Sequence, residues 1–243
     1  TVVTCKNARR YPHTASFPDG NHDLTFVAGQ LEIDKAKATV TANSNQVTYN
    51  GQNQTASGFS ATGLVNGEDS SVLTGVTASV TAKDAGSYTN KANGVDKNYD
   101  LTFVDGALDI AKAKATITAN SLNTVYNGQN QTVSGFSATG LVNGEDSSVL
   151  TGVSTTGGQG KNVGSYSHSA SGTDGNYDIT FVAGQLEIDK AQAVVTANSD
   201  SVIYNGQNQS VTGFSATGLV GGEDESVLTG VSTTGGQGKN VGS

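Results

Sequence analysis

Short runs in which apolar and polar residues alternate with a period of two recur along this chain, and no stretch shows the three-to-four spacing of an amphipathic helix. Tyr99, Leu101 and Phe103 alternate with Asp100 and Thr102, and beyond Asp105-Gly106 the apolar Leu108 and Ile110 flank Asp109. This pattern predicts two strands with one buried face, joined as a hairpin by the Asp-Gly pair. Thr116, Ile117 and Thr118, then Phe136 and Ala138, then Val149 and Leu150, then Tyr166 add further short β-rich runs, punctuated by Asn-Gly, Gly-Gly and Gly-Ser.

The pattern is periodic. YNGQNQ begins at Tyr49, Tyr126 and Tyr204, offsets of 77 and 78 residues. KAKATVTANS from Lys35, KAKATITANS from Lys112 and KAQAVVTANS from Lys190 keep the same phase, and GFSATGLVNGEDSSVLTGV is identical at 58–76 and 135–153. It returns at 213–231 with Gly221 for Asn and Glu225 for Ser. NHDLTFVAGQLEIDKA from Asn21, NYDLTFVDGALDIAKA from Asn98 and NYDITFVAGQLEIDKA from Asn176 close the period. Complete copies are therefore expected at 35–111 and 112–189. Residues 1–34 read as the C-terminal part of a preceding copy, and 190–243 as the N-terminal part of a following one. The chain opens at Thr1 without a methionine and stops within a pattern seen complete elsewhere, so a fragment or processed product is expected.

About six or seven strands per copy predict an all-β fold of tandem, small antiparallel β-sandwiches of immunoglobulin-like type, with a β-grasp-like repeat as the alternative if one segment is helical. A unit of this size buries only about 60% of its extended-chain surface and is marginal alone. The junctions LDIAKAKATIT and LEIDKAQAVVT hold no Pro, Gly or Ser-rich spacer, so a stiff rod is expected.

Composition narrows the function. The chain has 243 residues with 32 Gly, no Trp or Met, and 35% hydrophobic residues, which argues against one large core. No run is long enough to insert in a membrane as a helix. A net charge of −8 with scattered lysines leaves no basic stripe for phosphates, so nucleic acid is not an expected partner. Cys5, the single cysteine, has no partner for an internal disulfide and no metal-ligand spacing around it.

No catalytic, cofactor or metal constellation emerges. His13 and His168 are equivalent positions with Asn90 between them, too far apart in the copies to share a metal. No Ser-His-Asp set recurs and no glycine loop precedes Lys-Ser or Lys-Thr, so the chain is not expected to be an enzyme. Glu68-Asp69, Glu145-Asp146 and Glu223-Asp224 recur beside a turn, read as a solvated acidic turn because such pairs alone lack the six to eight oxygens of calcium. The candidate ligand contacts are Tyr49, Tyr126 and Tyr204, where a tyrosine beside Asn and Gln side chains suits stacking on a sugar ring, against the alternative of core or turn packing. Asn53, Asn130 and Asn208 each sit in an Asn-x-Ser/Thr acceptor. Lys6, Lys83, Lys161 and Lys239 are equivalent but show no acid partner for an amide crosslink.

The NYDLTFVDGALDIAKA segment and its two copies, each preceded by an AGSY or VGSY stretch in the complete repeats, resemble the mostly-β, glycine-rich repeats called MBG or YDG domains of filamentous-haemagglutinin-like adhesins. The first copy departs, with His22 for the tyrosine and Arg9-Arg10 for Gly-Ser. The resemblance implies export to the bacterial cell surface, outer-membrane association in a Gram-negative cell, and a part in attachment or biofilm, and it supplies no catalytic residue. The expected function is a stalk or spacer of a surface adhesin that meets a surface glycan or protein through the full-length molecule. The alternative is a glycan- or matrix-binding module that gains strength from repetition. Ser243 corresponds to Ser165 and Tyr11 to Tyr166, so the tail of one molecule stops where the head of another resumes, and head-to-tail self-association is a further expectation.

Overall fold

The computed structural model of the chain describes residues 5–17 and 19–242. Ser243 and the Val3-Thr4 start of the diverged VTCKNARRY segment lie outside them. All regular structure in the described residues is strand, apart from three 3₁₀ turns at Ser70–Val72, Ser147–Val149 and Glu225–Val227. The all-β expectation holds, and the helix that a β-grasp repeat needs is found in no described residue. Two compact units divide the chain: Thr1–Ala113 with Val142–Glu145 and Gly175–Asp178, and Lys114–Leu141 with Asp146–Asp174 and Ile179–Ser243.

In the first unit β1 (Arg10–His13) pairs antiparallel with β2 (Gly29–Glu32). There follow β3 (Ala36–Ala42), β4 (Asn45–Thr48), β5 (Gln54–Ser57), β6 (Phe59–Thr62), β7 (Val76–Ala82), β8 (Gly86–Asn90), β9 (Ala92–Gly94), β10 (Tyr99–Val104) and β11 (Gly106–Ala111). They form three small sheets ordered β10-β3-β6, β4-β11-β8 and β5-β7-β9. Alternation decides the faces: Ala38, Val40 and Ala42 of β3 are buried and meet Leu73, Val76, Ala78, Ala92 and Tyr99, with Phe59, Leu101 and Phe103 packed around them. The first sheet thus lies over β7 and β9. Half of that buried cluster is alanine, so each copy buries little apolar area and depends on its hydrogen bonds and neighbours.

The pairing is not purely antiparallel, and the predicted hairpin is not one. β10 runs parallel to β3 from Tyr99↔Ala36 to Val104↔Thr41, and β11 runs parallel to β4 from Leu108↔Asn45 to Ala111↔Thr48, with one unbroken offset. β10 and β11 do not pair with each other; they are one advancing strand that crosses from the first sheet to the second at Asp105, alongside β3 and β4, which cross at Asn43-Ser44. Strands that bend between two sheets make the corners of such packings. Gly106 is needed for clearance at this corner, since a Cβ there would come within 2.5 Å of both the Ala42 and Asn43 carbonyl oxygens. Asn90 Nδ2 donates to the Asn43 carbonyl at 2.8 Å, and Ser44 Oγ accepts from the Ala107 amide at 3.0 Å.

The second unit repeats the plan with β12 (Ala113–Ala119), β13 (Leu122–Val125), β14 (Gln131–Thr132), β15 (Phe136–Thr139), β16 (Val153–Gly157), β17 (Gln159–Gly160), β18 (Gly164–Gly172), β19 (Tyr177–Val182) and β20 (Gly184–Asp189), the first residues of β12 and β19 belonging to the first unit. Its sheets are ordered β15-β12-β19, β13-β20-β18-β16 and β14-β17, and β13 is again parallel to β20. A Cβ on Gly184 would approach the Ala119 and Asn120 oxygens to 2.3 Å, and His168 Nδ1 lies 2.8 Å from the Asn120 oxygen, in the place of Asn90. Val149 and Leu150, expected in a strand, lie instead in and just after a 3₁₀ turn, with Leu150 buried. In the last part β21 (Val194–Ala197) pairs with β23 (Phe214–Thr217) and β22 (Gln209–Ser210) with β24 (Gln237–Gly238). No described residue from 190 onward is buried.

Candidate functional site

Both carboxylates of the recurring Gly-Glu-Asp turn make structural hydrogen bonds; the aspartates are exposed, as a solvated acidic turn requires, while the glutamates are half-buried, which corrects that reading for them alone. Asp69, Asp146 and Asp224 cap the 3₁₀ turns, their Oδ1 atoms accepting from the amides of Ser71, Ser148 and Ser226 at 2.9, 2.9 and 3.0 Å. Hydrogen bonds from those serines, side chain first and backbone second, hold each aspartate below its ordinary pKa.

The glutamates receive tyrosines. Tyr99, at the start of β10, donates its hydroxyl to Glu68 Oε2 at 2.5 Å and accepts from the Val65 amide at 3.0 Å. Tyr177 does the same with Glu145 Oε2 at 2.5 Å and the Val142 amide at 2.9 Å. Glu145 has a second phenol: Tyr49, one period upstream of Tyr126, donates to its Oε1 at 2.6 Å. The rings of Tyr49 and Tyr177 meet edge to face, centroids 5.5 Å apart. All of these atoms lie in the first compact unit.

Around this hook Gln52 Nε2 donates to Asn143 Oδ1 at 2.6 Å and Asn143 Nδ2 donates to the Gly51 carbonyl at 3.2 Å. Asn143 holds a left-handed backbone, φ 54°, which asparagine tolerates. Asn176 ties a second point, its Oδ1 accepting from the Ala85 amide at 2.8 Å and its Nδ2 donating to Asp84 Oδ1 at 3.1 Å. The loop that presents Ala85 is closed by Tyr88, whose hydroxyl donates to the Asp84 carbonyl at 3.0 Å. Asn98 repeats the tie one period earlier, accepting from the Ala8 amide at 3.0 Å.

In the second unit Tyr126 donates to Glu223 Oε1, so the hook recurs. The electrostatics follow the geometry. The hydroxyls of Tyr177 and then Tyr49 hold the Glu145 carboxyl below the usual range, with Lys83 adding a smaller pull. Burial first, then the bond to Glu145, pushes the Tyr49 phenol well above its ordinary pKa of 10.0. Glu68 and Glu223 raise Tyr99 and Tyr126 in the same direction.

The three candidate ligand contacts therefore sit in three different settings. Tyr49 is 4% exposed, Tyr126 is half-buried and Tyr204 is 58% exposed. Stacking on a sugar needs a free ring face, and Tyr49 has both ring and hydroxyl engaged. His168 is buried as a corner support, whereas His13 is exposed. Lys6, Lys83, Lys161 and Lys239 are exposed, unlike a crosslinking lysine, and Asn53, Asn130 and Asn208 are exposed too. No group of three or more His, Cys, Asp or Glu able to hold a metal occurs among the described residues. Sequence reasoning missed the glutamates and the tyrosines of the NYD segments as hook partners, although the glutamate of the GED turn and three tyrosines, those of the YNG, GSY and NYD segments, recur in each complete period in fixed phase.

The fold and its ties define a tandem-repeat β protein in which successive sequence copies are stitched by side chains rather than by a spacer. The family model for the MBG domain (YGX type) matches residues 38–109 and again residues 115–187, more than half of the chain, and the chain belongs to that family. No curated protein matches the chain.

Proposed function

We propose that the chain is a spacer segment of a bacterial surface adhesin, exported to the cell surface, whose task is to add length between an anchor and an adhesive part rather than to carry out chemistry. Membership of the MBG family supports a surface-adhesin setting. The observation that carries the spacer reading is the commitment of the recurring side chains: the tyrosine and glutamate repeated with each period are spent on one another, Tyr49 on Glu145 and Tyr126 on Glu223. The covalent link is equally short, with Lys112 the one residue between β11 and β12. Repetition of ties without a recurring free polar constellation suits a mechanical role.

The test is binding of the whole chain to a panel of glycans and host-matrix proteins, with Tyr204→Ala as the control because Tyr204 is the exposed member of its set. A folded sample silent across the panel is the expected result. Specific binding abolished by Tyr204→Ala overturns the spacer reading in favour of a sugar-binding module.

A further inference from the structure

Tension along the chain enters the copy that holds β3 to β11 at Lys35, just before β3, and leaves it at Lys112, just after β11. Those two strands are the central ones of their sheets, in the orders β10-β3-β6 and β4-β11-β8. Neither is peeled from an edge, because β3 is held by β10 and β6 and β11 is held by β4 and β8.

The entering arm, β3 with β4, and the leaving arm, β10 with β11, run side by side in the same direction. Their register never changes, from Tyr99↔Ala36 through Val104↔Thr41 to Leu108↔Asn45 and Ala111↔Thr48. Backbone bonds close both ends of this ladder: the Ala36 amide donates to the Asn98 carbonyl at 2.9 Å, and the Tyr49 amide to the Ala111 carbonyl at 2.8 Å. At the corner, where the arms pass from one sheet to the other, the Ala107 amide donates to Ser44 Oγ at 3.0 Å, so the arms are tied there as well. Lys35 Nζ adds a bond to the Asp96 carbonyl at 2.7 Å. In the second unit β13 runs parallel to β20 and the Gln185 amide donates to Ser121 Oγ at 3.1 Å, which repeats the corner.

Direction decides how such a ladder responds to load. Two paired strands pulled apart from the same end open bond by bond. Two parallel strands pulled from opposite ends have their evenly spaced bonds dragged along the strand axis together, and none yields until all do. We propose that the paired arms 36–49 and 98–111 form a shear clamp, the element of this copy that carries tension. Its strength comes from geometry and not from the core, half of whose buried cluster is alanine. The copy is therefore marginal to heat and resistant to force. The clamp is a property of the fold, and its use in a stalk rests on the spacer reading.

Single-molecule force spectroscopy of the whole chain tests it, in a Cys5→Ser background with handles on pairs of introduced cysteines. Lys37 and Asp100 are partners at one end of the ladder, Thr48 and Ala111 are partners at the other, and all four are exposed. Handles on Lys37→Cys with Ala111→Cys load the arms in shear. Handles on Lys37→Cys with Asp100→Cys, or on Thr48→Cys with Ala111→Cys, unzip them from one end or the other. The shear pair should unfold at about threefold higher force than either unzipping pair, since forced unfolding follows the barrier and here the whole ladder breaks together. It should also be brittle, its force rising steeply with loading rate, because about 2 Å of extension takes a hydrogen bond beyond its reach. Each unzipping pair shares one cysteine with the shear pair, so a loss of fold caused by either substitution shows in both. A shear force no higher than an unzipping force overturns the clamp and leaves the spacer reading as it stood. Binding abolished by Tyr204→Ala, with the shear force high, overturns the spacer reading and leaves the clamp.

Discussion

The hook at Tyr49 and the hook at Tyr126 share a hydrogen bond and differ in almost everything around it. At the first, the Glu145 carboxylate is divided between Tyr49 and Tyr177, the two rings touch edge to face, and Gln52, Asn143 and the Gly51 carbonyl close a second set of bonds. At the second, Tyr126 is half-buried on Glu223, and Gly221 stands where the first has Asn143. The short YNG and GED motifs suffice for the phenol–carboxylate contact. Its burial comes from a third element, the tyrosine of the NYD strand, which packs against the upstream ring and takes the other carboxylate oxygen. A hook is therefore a three-part device, and its strength depends on how many parts are present.

The YNG glycine offers the largest way to break that comparison. Gly51 and Gly128 both have φ 75° and Gly206 has φ 77°, so alanine strains all three backbones alike by about 1 kcal/mol. The surroundings then separate them. A Cβ on Gly51 would fall 2.6 Å from Asn143 Cβ, on Gly128 it would fall 2.9 Å from Gly221 Cα, and on Gly206 it would meet nothing within 4 Å. Gly51→Ala should destabilise by about 3 kcal/mol, Gly128→Ala by about 2 and Gly206→Ala by about 1. Native-state hydrogen exchange at the amides of Tyr49 and Tyr126 reads each site separately, which one melting curve of a repeat chain does not. Equal losses at the Tyr49 and Tyr126 amides, for Gly51→Ala and Gly128→Ala respectively, would remove the first hook's special status.

Removing the hydroxyls comes next. Tyr49→Phe leaves the Glu145 carboxylate with one phenol where it had two and should cost about 2 kcal/mol. Tyr126→Phe should cost less, because Tyr126 is half-buried where Tyr49 is buried, and Tyr204→Phe should change nothing measurable, since that side chain is mostly exposed. The same exchange measurement ranks the first two.

Much of the fold was legible beforehand, and the exceptions have physical causes. The period, the strand runs and the buried side of the Tyr99–Phe103 segment followed from alternation, because a strand fixes the side on which each residue emerges. The hairpin reading of Asp105-Gly106 failed because a glycine demanded by a close backbone crossing looks, in sequence, like a glycine demanded by a tight turn. Parallel partners more than sixty residues apart leave no local signal. The same holds for the site: Tyr49 was singled out, but its partner Glu145 lies in the next copy, and a glutamate beside an aspartate in a turn reads as solvated until its neighbour is placed.

A smaller test uses pH. The Glu145 pKa is lowered on folding, so its contribution is fully present above the ordinary glutamate value of 4.5 and is lost as pH falls through the depressed folded value. The Tyr49 pKa is raised, so its contribution is present below 10.0 and is lost as pH rises from there toward the folded value. Protection of the Tyr49 amide, corrected for intrinsic exchange, should therefore stay level across neutral pH and fall at both extremes. In the Tyr49→Phe variant both the alkaline and the acid fall should shrink without vanishing, because Tyr177 still donates to Glu145.

The smallest expected effect is also the one that sharpens the comparison most. Gly221→Asn gives the second hook the side chain that the first has at Asn143. The backbone permits it: Gly221 has φ 65° and Asn143 keeps φ 54° without glycine's freedom. The new amide is placed to donate to the Gly128 carbonyl and to accept from Gln129, as Asn143 does with Gly51 and Gln52. Against this, a Cβ on Gly221 would meet Gly128 Cα at 2.9 Å and the Asn127 oxygen at 3.1 Å, so the loop must yield by a few tenths of an ångström. Two hydrogen bonds and a less flexible unfolded chain set against that shift leave a net gain of about 0.5 kcal/mol, read as slower exchange at the Tyr126 amide. A gain makes the asparagine a working part of the hook. No gain assigns the first hook's advantage to Tyr177 alone, since the edge-to-face ring and the shared carboxylate would then be the remaining difference between the two sites.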